Sequence, residues 1–323
     1  MRTQDEFVAA RKKEWDELQI LLRPSRAMHS LAAPSISRLA ALYRALCADL
    51  MRARAAGYDP ELVAHLDDLA GRAHNTLYAA PPHRMSAVWT LFARDFPRAI
   101  RRRARFLAFS AALFLIPGVV GFAGAMASRA FAAEVLPEEQ LAGMEQAYSK
   151  GFNDGRDPGV NAMMAGFYVN NNVGIAFRCF ATGILFGLGS VFFLLYNGLV
   201  IGTVMGFVAR AGHGYNIFTF CCGHSTFELT AIVISGAAGL QMGYALVATG
   251  GLTRFGSVRA QSKEIAHLIL GAAGMLLIAA GIEGFWSPSS VPAHVKWAVA
   301  GALAILVTTY FLVAGRERTG RAA

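Results

Sequence analysis

The stretch that decides the fold runs from Asn170 to Gly243. Its first part reads NNNVGIAFRCFATGILFGLGSVFFLLYNG at 170–198, and its last part reads GHSTFELTAIVISGAAGLQMG at 223–243. A helix needs about 20 predominantly apolar residues to cross roughly 30 Å of hydrocarbon, and this stretch supplies enough of them for more than one crossing. The sequence therefore predicts helices that span a membrane.

Arg178, His224 and Glu228 are ionisable side chains that lie among the apolar residues of this stretch. A charged group at membrane depth costs about 3 kcal/mol or more unless it is paired or faces a cavity, so these residues are candidates for function or assembly. Because His224 and Glu228 are four residues apart, they share one helix face. We expect Glu228 to pair with Arg178 from a neighbouring span or to cap the amides of a broken helix, with His224 as its hydrogen-bond partner.

The candidate polar core includes amides and a second acid as well. The full set is Asn171, Asn172, Arg178, Asn197, His224, Glu228 and Glu283. His224 and Glu228 alone are two ligands, whereas a zinc site uses three or four, and no His-Glu-x-x-His motif is present. No serine lies in a recognisable nucleophile motif. The expectation is therefore no metal, no cofactor and no enzymatic activity.

Charge is distributed unevenly along the chain, in which 55% of residues are hydrophobic and 16% are charged. Residues 1–105 contain 18 Lys+Arg against 11 Asp+Glu, whereas residues 129–172 contain 3 against 6. Basic residues next to membrane helices mark the cytoplasmic side, so the N-terminus is predicted inside and 129–172 outside. The basic residues flank spans and are explained by anionic lipid, so nucleic acid is not an expected partner.

These patterns predict an all-α, polytopic helical membrane protein with about six membrane segments and both termini in the cytoplasm. The predicted segments are a cytoplasmic helical region at 1–100, a first transmembrane helix at 104–128, an extracytoplasmic amphipathic segment at 129–172, a transmembrane bundle at 173–315 and a basic cytoplasmic tail at 316–323. Residues 173–211 are too long for one span, so a turn at Tyr196-Asn197-Gly198 is predicted to divide them into a hairpin or a span with a re-entrant piece.

The N-terminal region shows apolar residues at helical spacing. Phe7, Trp15 and Leu18 mark one helix, a second apolar stripe ends before Gly57, and Asp59-Pro60 predicts the start of a third. The segment from Ser86 to Ile100 is predicted to lie along the membrane surface with Trp89, Phe92 and Phe96 at the interface. No catalytic motif occurs here, so a docking or dimerisation bundle is the expected role.

Small residues recur every four positions in the membrane stretch. They are Gly183, Gly187, Gly198, Gly202, Gly206, Ser235, Gly239 and Gly243. Without a hydrophobic force between helices in lipid, such faces allow close backbone approach and van der Waals contact. The spacing predicts tight helix packing and favours a homodimer.

The same residues resemble the stage II sporulation protein M family. The similarity lies in Asn170-Asn171-Asn172, the Gly183–Gly189 run, Tyr196-Asn197-Gly198 and His224 through Leu240. Ile282-Glu283-Gly284-Phe285 is similar to a late element of the family. Gly223 stands where the family has proline and Ser225 where it has glycine.

This resemblance implies a polytopic protein of the bacterial inner (cytoplasmic) membrane that works in a membrane or cell-envelope complex. It implies protein partners such as MoxR-type ATPases or cell-wall hydrolases, besides the lipid bilayer. A membrane scaffold or assembly protein is the function expected first. A channel or secondary transporter with a polar site around Arg178, His224 and Glu228 is the alternative, since broken glycine-rich helices also build transport sites.

Overall fold

The computed structural model describes residues 3–22, 33–78, 85–151, 155 and 157–316. Every regular element in this described part of the chain is a helix. The chain divides into two compact units, Met1–Arg84 and Met85–Ala323. Of the basic tail predicted at 316–323, only Arg316 lies within the described residues.

Within its described residues, the first unit contains three helices, α1 at Gln4–Leu21, α2 at Ala33–Ala55 and α3 at Pro60–Tyr78. Thr3 caps α1, because its hydroxyl accepts the Glu6 amide while the Glu6 carboxylate accepts the Thr3 amide at 3.1 Å. The α2 helix ends just before Gly57, and Pro60 begins α3, as the sequence predicts.

Large apolar side chains from all three helices form the core of this unit. Its fully buried residues include Leu18, Leu39, Leu46, Leu66 and Leu69. Beside them lies a buried carboxylate, Asp49, which is 1% exposed. It accepts hydrogen bonds from Arg11 Nε at 2.7 Å and from Trp15 Nε1 at 3.1 Å, so this acid has its cation within the unit.

The second unit contains both short and long helices. They are α4 at Met85–Thr90, α5 at Phe96–Arg102, α6 at Ala104–Ala127, α7 at Arg129–Val135, α8 at Glu138–Ser149, α9 at Pro158–Ala181, α10 at Leu188–Val208, α11 at Gly214–Val247, α12 at Arg254–Gly281 and α13 at Ala293–Val313. The α11 helix is central and contacts α6, α9, α10, α12 and α13.

Four helical segments within the described residues are long and apolar enough to cross a membrane. They are Ala104–Ala127, Leu188–Val247, Arg254–Trp286 and Ala293–Val313. The second of these is 60 residues long and contains both α10 and α11, which meet at Gly212 with φ of 90°. Large apolar side chains such as Val119 and Ile305 are exposed on the outer faces, as expected for helices in contact with lipid.

The predicted turn at Tyr196-Asn197-Gly198 is wrong, because all three residues lie inside α10. The chain instead reverses at residues 182–187, where a short 3-10 segment follows α9 and Phe186 and Gly187 have positive φ values of 54° and 86°. Glycine tolerates a positive φ, and Gly187 is the residue that precedes α10. The boundary predicted between 172 and 173 also falls inside a helix, α9.

Glycines bring α6 and α10 into backbone contact. A Cβ atom added to Gly198, Gly202 or Gly206 would overlap a carbonyl oxygen of α6, at Phe114, Gly118 and Phe122 respectively. At a second seam, Gly183 and Gly187 lie against the backbone of Gly239 and Gly243 of α11. These faces meet within one chain, so the expected dimer does not follow from them.

Arginines at the helix ends bind main-chain carbonyls. Arg101 donates to the carbonyls of Phe311 and Ala314 at 2.6 and 2.7 Å, and Arg210 donates to the Met126 carbonyl at 2.7 Å. The last carbonyls of a helix lack intrahelical partners, so these contacts satisfy the ends of α13 and α6.

The expected membrane-surface helix differs from the structure in one respect. Phe96 is 1% exposed and packs against Gly271 of α12 and Phe311 of α13, whereas Trp89 is 75% exposed. The aromatic stripe is therefore split between the protein core and the surface. A glycine on α12 makes room for the Phe96 ring, which the local spacing of aromatic residues does not reveal.

Candidate functional site

A buried cluster of three ionisable side chains lies where α11 meets the end of α12. One ligand-type atom from each of His224, Glu228 and Glu283 lies within 4.8 Å of the others. His224 and Glu283 are 3% and 8% exposed. The Nε2 atom of His224 is 3.8 Å from Oε2 of Glu228. An imidazole and two carboxylates at this spacing can share a proton or bind a cation.

Helix geometry explains how the three groups meet. His224 and Glu228 are one turn apart on the same face of α11, as their spacing predicts. Glu283 lies in a π-helical turn, Ile282–Trp286, that follows α12. The Ser287 amide donates to the Ile282 carbonyl at 2.8 Å, five residues back, and such wide turns often mark functional sites.

Asparagines of α9 approach the cluster from a third helix. Nδ2 of Asn172 donates to Oε2 of Glu283 at 3.3 Å, and Asn172 is only 3% exposed. Nδ2 of Asn171 in turn donates to Oδ1 of Asn172 at 2.9 Å. This chain of two amides orients the Asn172 donor toward the carboxylate.

Ser287, in the loop between α12 and α13, and Lys296, in the first turn of α13, hold the cluster. Nδ1 of His224 lies 3.0 Å from Oγ of Ser287, which is 1% exposed. The buried ammonium of Lys296 donates to the carbonyls of Ser287 and Ser289, both at 2.7 Å. The lysine thereby fixes the loop, and two of its three donors bind carbonyl groups.

Aromatic rings cover the cluster toward the start of α11. The Phe220 ring lies 5.5 Å from the His224 ring and 5.7 Å from the ring of Tyr148 in α8. Asn216 donates to the Tyr148 carbonyl at 2.7 Å, which ties α8 to α11. Burial raises the pKa of the Tyr148 phenol above its ordinary value, so this ring stays neutral.

Two predicted site residues lie away from the cluster. Arg178 is exposed, and among the described residues no ion pair joins it to Glu228, so the predicted Arg178–Glu228 pair is wrong. The reason is the helix face: Arg178 lies opposite the buried residues Ala176 and Cys179 that face the bundle. Asn197 is buried but donates to the Phe193 carbonyl one turn back at 2.6 Å.

Ser287 and Lys296 are not predicted from the sequence, and Glu283 is predicted for the polar core but not as a third member of the histidine cluster. A lysine at the start of a span is usually assigned to the interface, and a serine in a short loop carries no signal. Only Glu283 offered one, because an acid in an apolar run is costly in lipid. With Glu283 beside them, His224 and Glu228 are not limited to two potential metal ligands.

The two residues around His224 that depart from the family pattern do not interrupt α11. Gly223 lies against Trp286 and Ile282, where an added Cβ would be 3.3 and 3.1 Å from side-chain carbon atoms. The Ser225 hydroxyl donates to the Cys221 carbonyl at 2.7 Å within the same helix. The face that carries His224 and Glu228 is thus continuous.

Comparison with known proteins matches residues 110–288 to Stage II sporulation protein M. This match covers more than half of the chain and includes His224, Glu228 and Glu283. The chain belongs to the stage II sporulation protein M family. Lys296 lies beyond the residues matched by the family.

Two further comparisons give shorter matches to this family member. Residues 5–79, which contain α1 to α3, match a domain of unknown function, DUF8413. An uncharacterized protein of Methanocaldococcus jannaschii is 30% identical over 77 residues, which are 24% of this chain and 43% of that protein. The match thus spans less than half of that relative. No solved structure matches the chain.

Proposed function

We propose that this family member is an integral membrane scaffold or assembly protein. The observation that carries the proposal is the backbone contact along two glycine seams, where α10 meets α6 and residues 183–187 meet α11. A transporter needs one group of helices to rock or slide against another. Seams without room for a Cβ atom oppose such movement, which favours a rigid frame.

The proposed frame crosses the cytoplasmic membrane six times, through α6 and α9 to α13. The α9 helix has 24 residues and so extends about 36 Å. Basic residues lie near the start of α6, in the first part of α12 and after α13, whereas acids are concentrated in α7 and α8. The positive-inside tendency then puts both termini in the cytoplasm.

Reporter fusions test this orientation. An extracytoplasmic reporter joined after Lys150 should be active, and the same reporter joined after Gly250 should be inactive. A cytoplasmic reporter should give the opposite pattern at the two sites. Activity of the extracytoplasmic reporter after Gly250 would contradict the six-crossing arrangement.

The proposed partners are those that family resemblance suggests, MoxR-type ATPases and cell-wall hydrolases. A photo-crosslinking amino acid placed at Met51 of the full chain, which is 61% exposed, should capture the ATPase of the host cell. The matched control is Val119 of α6, which is 68% exposed and expected in lipid. A product of twice the chain mass from Val119 would reveal a homodimer through α6.

No capture of either partner class from Met51 or from exposed Ile20 would contradict the assembly role. Capture at Val119 with the same yield would show that the crosslinks are nonspecific.

Cation transport is the second candidate function, and the buried cluster of His224, Glu228 and Glu283 favours it. Intramembrane acids commonly mark proton or ion paths. The test is flux into liposomes that contain the purified chain, with Glu228→Gln as the comparison. The scaffold proposal predicts the same background flux for both proteins, whereas flux that Glu228→Gln abolishes would replace it with transport.

A further inference from the structure

We propose that His224, Glu228 and Glu283 form a binding site for one divalent transition-metal ion of the Zn²⁺ type. The proposal does not depend on the scaffold role, because a metal could serve a rigid frame as well as a transporter. It rests on the identity of the donors, their spacing and the groups that hold them.

The donor set is one imidazole nitrogen and two carboxylates. Histidine nitrogen with carboxylate oxygen suits Zn²⁺ and its first-row neighbours, whereas Ca²⁺ and Mg²⁺ prefer oxygen ligands alone. A site with two carboxylates also neutralises the charge of a divalent ion. Three protein ligands leave one position of a tetrahedral ion open for water.

The ligand atoms of the three side chains lie slightly farther apart than they would around a bound ion. Tetrahedral Zn²⁺ with bonds of about 2.0–2.1 Å holds its ligand atoms about 3.3 Å apart. His224 Nε2 and Glu228 Oε2 are 3.8 Å apart, and the three groups lie within 4.8 Å. Movements of about 1 Å at flexible glutamate side chains close the difference, and no helix has to shift.

Neighbouring polar side chains lie within hydrogen-bond distance of the cluster and orient it, as hydrogen-bond partners orient the ligands of a metal ion. A metal-bound histidine usually donates its other ring nitrogen to an oxygen, and Oγ of Ser287 lies 3.0 Å from Nδ1 of His224. Ligating carboxylates are also hydrogen-bonded, and Asn172 donates to Oε2 of Glu283. With Nδ1 protonated toward Ser287, the lone pair of Nε2 faces the two carboxylates.

A small cavity beside the cluster offers space for water. It has a volume of about 20 Å³ and is lined in part by Phe220, Ser287 and Lys296. One water molecule needs about 10–15 Å³ of such space. The cavity lies on the side of the cluster that faces the loop between α12 and α13.

The decisive experiment uses the full chain in detergent, purified with a tag that contains no histidine and stripped with a chelator. Co²⁺ is titrated into the protein as a spectroscopic probe, and Zn²⁺ is then added as a competitor. We expect visible absorption bands of four-coordinate Co²⁺ that saturate at one ion per chain and disappear with Zn²⁺. A folded protein that gives no such bands would overturn the proposal, and that outcome would leave a proton-sharing cluster.

Variants assign the ion to this site. Glu228→Gln and Glu283→Gln should each lower Co²⁺ affinity by at least tenfold, whereas Ser287→Ala should lower it about 10–100-fold with the same stoichiometry. The control is His294→Gln, because His294 is exposed and outside the cluster. Loss of the Co²⁺ bands in His294→Gln, or bands that persist unchanged in both glutamate variants, would overturn the assignment.

The wild-type titration does not depend on the folding of any variant. Its failure would also be distinct from failure of the assembly role, which the crosslinks at Met51 test without metal.

Discussion

The two units of this chain pack by opposite means. In Met1–Arg84, large side chains such as Leu18 and Leu66 fill the core, whereas in the second unit Gly198 and Gly202 leave room for the backbone of α6. In water, apolar burial contributes roughly 25 cal/mol per Å². Between helices in lipid that contribution is absent, so close contact itself has to stabilise the bundle.

Their buried acids differ in the same way. Asp49 has Arg11 and Trp15 as direct partners, so its charge is compensated within the bundle. Glu228 lies near His224 and a second acid, Glu283, which come from two different elements. The first arrangement is a structural ion pair, and the second gathers like charges where a cation would bind.

The largest effect should come from filling the α6–α10 seam. Gly202→Leu forces apart two backbones, because even a Cβ atom would overlap the Gly118 carbonyl. We expect a loss of more than about 3 kcal/mol, seen as a lower melting temperature or failure to fold in detergent. The control is Gly301→Leu in α13, where nothing lies within 4 Å of the added Cβ. Equal melting of both variants and wild type would show that the seam contributes nothing.

A somewhat smaller effect should follow truncation in the N-terminal core. Leu66 is 0% exposed, so Leu66→Ala removes buried methyl groups and leaves a cavity. The expected loss is about 2–5 kcal/mol in urea unfolding of the first unit, followed by Trp15 fluorescence. Met51→Ala, at an exposed position of α2, should change stability by less than about 0.5 kcal/mol. A loss of less than about 0.5 kcal/mol for Leu66→Ala would contradict a core stabilised by the burial of large apolar side chains.

Neutralising Asp49 should lower the free energy of unfolding by a smaller amount than Leu66→Ala. Asp49→Asn keeps the size of the side chain but removes the charge that Arg11 and Trp15 contact. We expect a loss of about 2 kcal/mol in the same urea experiment, since hydrogen bonds to a charged group are worth roughly that much. Asp67→Asn, in an exposed pair with Arg54, is the control and should be nearly neutral.

The sequence was sufficient for the helical class, the three N-terminal helices and most of the polar residues. Helix periodicity and caps are local, so Pro60 and Gly57 could be assigned from the residues alone. The α9–α10 reversal was missed because it depends on positive φ values at Phe186 and Gly187, while Tyr196-Asn197-Gly198 has the composition of a turn but lies inside a helix.

It was harder to predict which residues meet at the candidate site than to predict which residues are candidates. Asn172, His224, Glu228 and Glu283 were all candidates, yet the meeting of Glu283 with His224 depends on how α12 packs on α11. Proximity in sequence favoured Arg178 as the partner of Glu228, but its position on α9 puts Arg178 on the exposed face, away from buried Ala176 and Cys179. Ser287 and Lys296 needed tertiary structure entirely.

The central claim is that Glu228 belongs to a site and not to a structural ion pair. The direct measurement is the melting temperature of Glu228→Gln and wild type in chelator, with Arg178→Met alongside. Glu228 has a like charge nearby and, among the described residues, no ion pair with Lys or Arg. We therefore expect each variant to change the free energy of unfolding by less than about 0.5 kcal/mol, so that its melting temperature stays close to that of wild type. A loss at Glu228→Gln as large as that at Asp49→Asn, recovered in the double variant with Arg178→Met, would contradict the account and restore the buried pair.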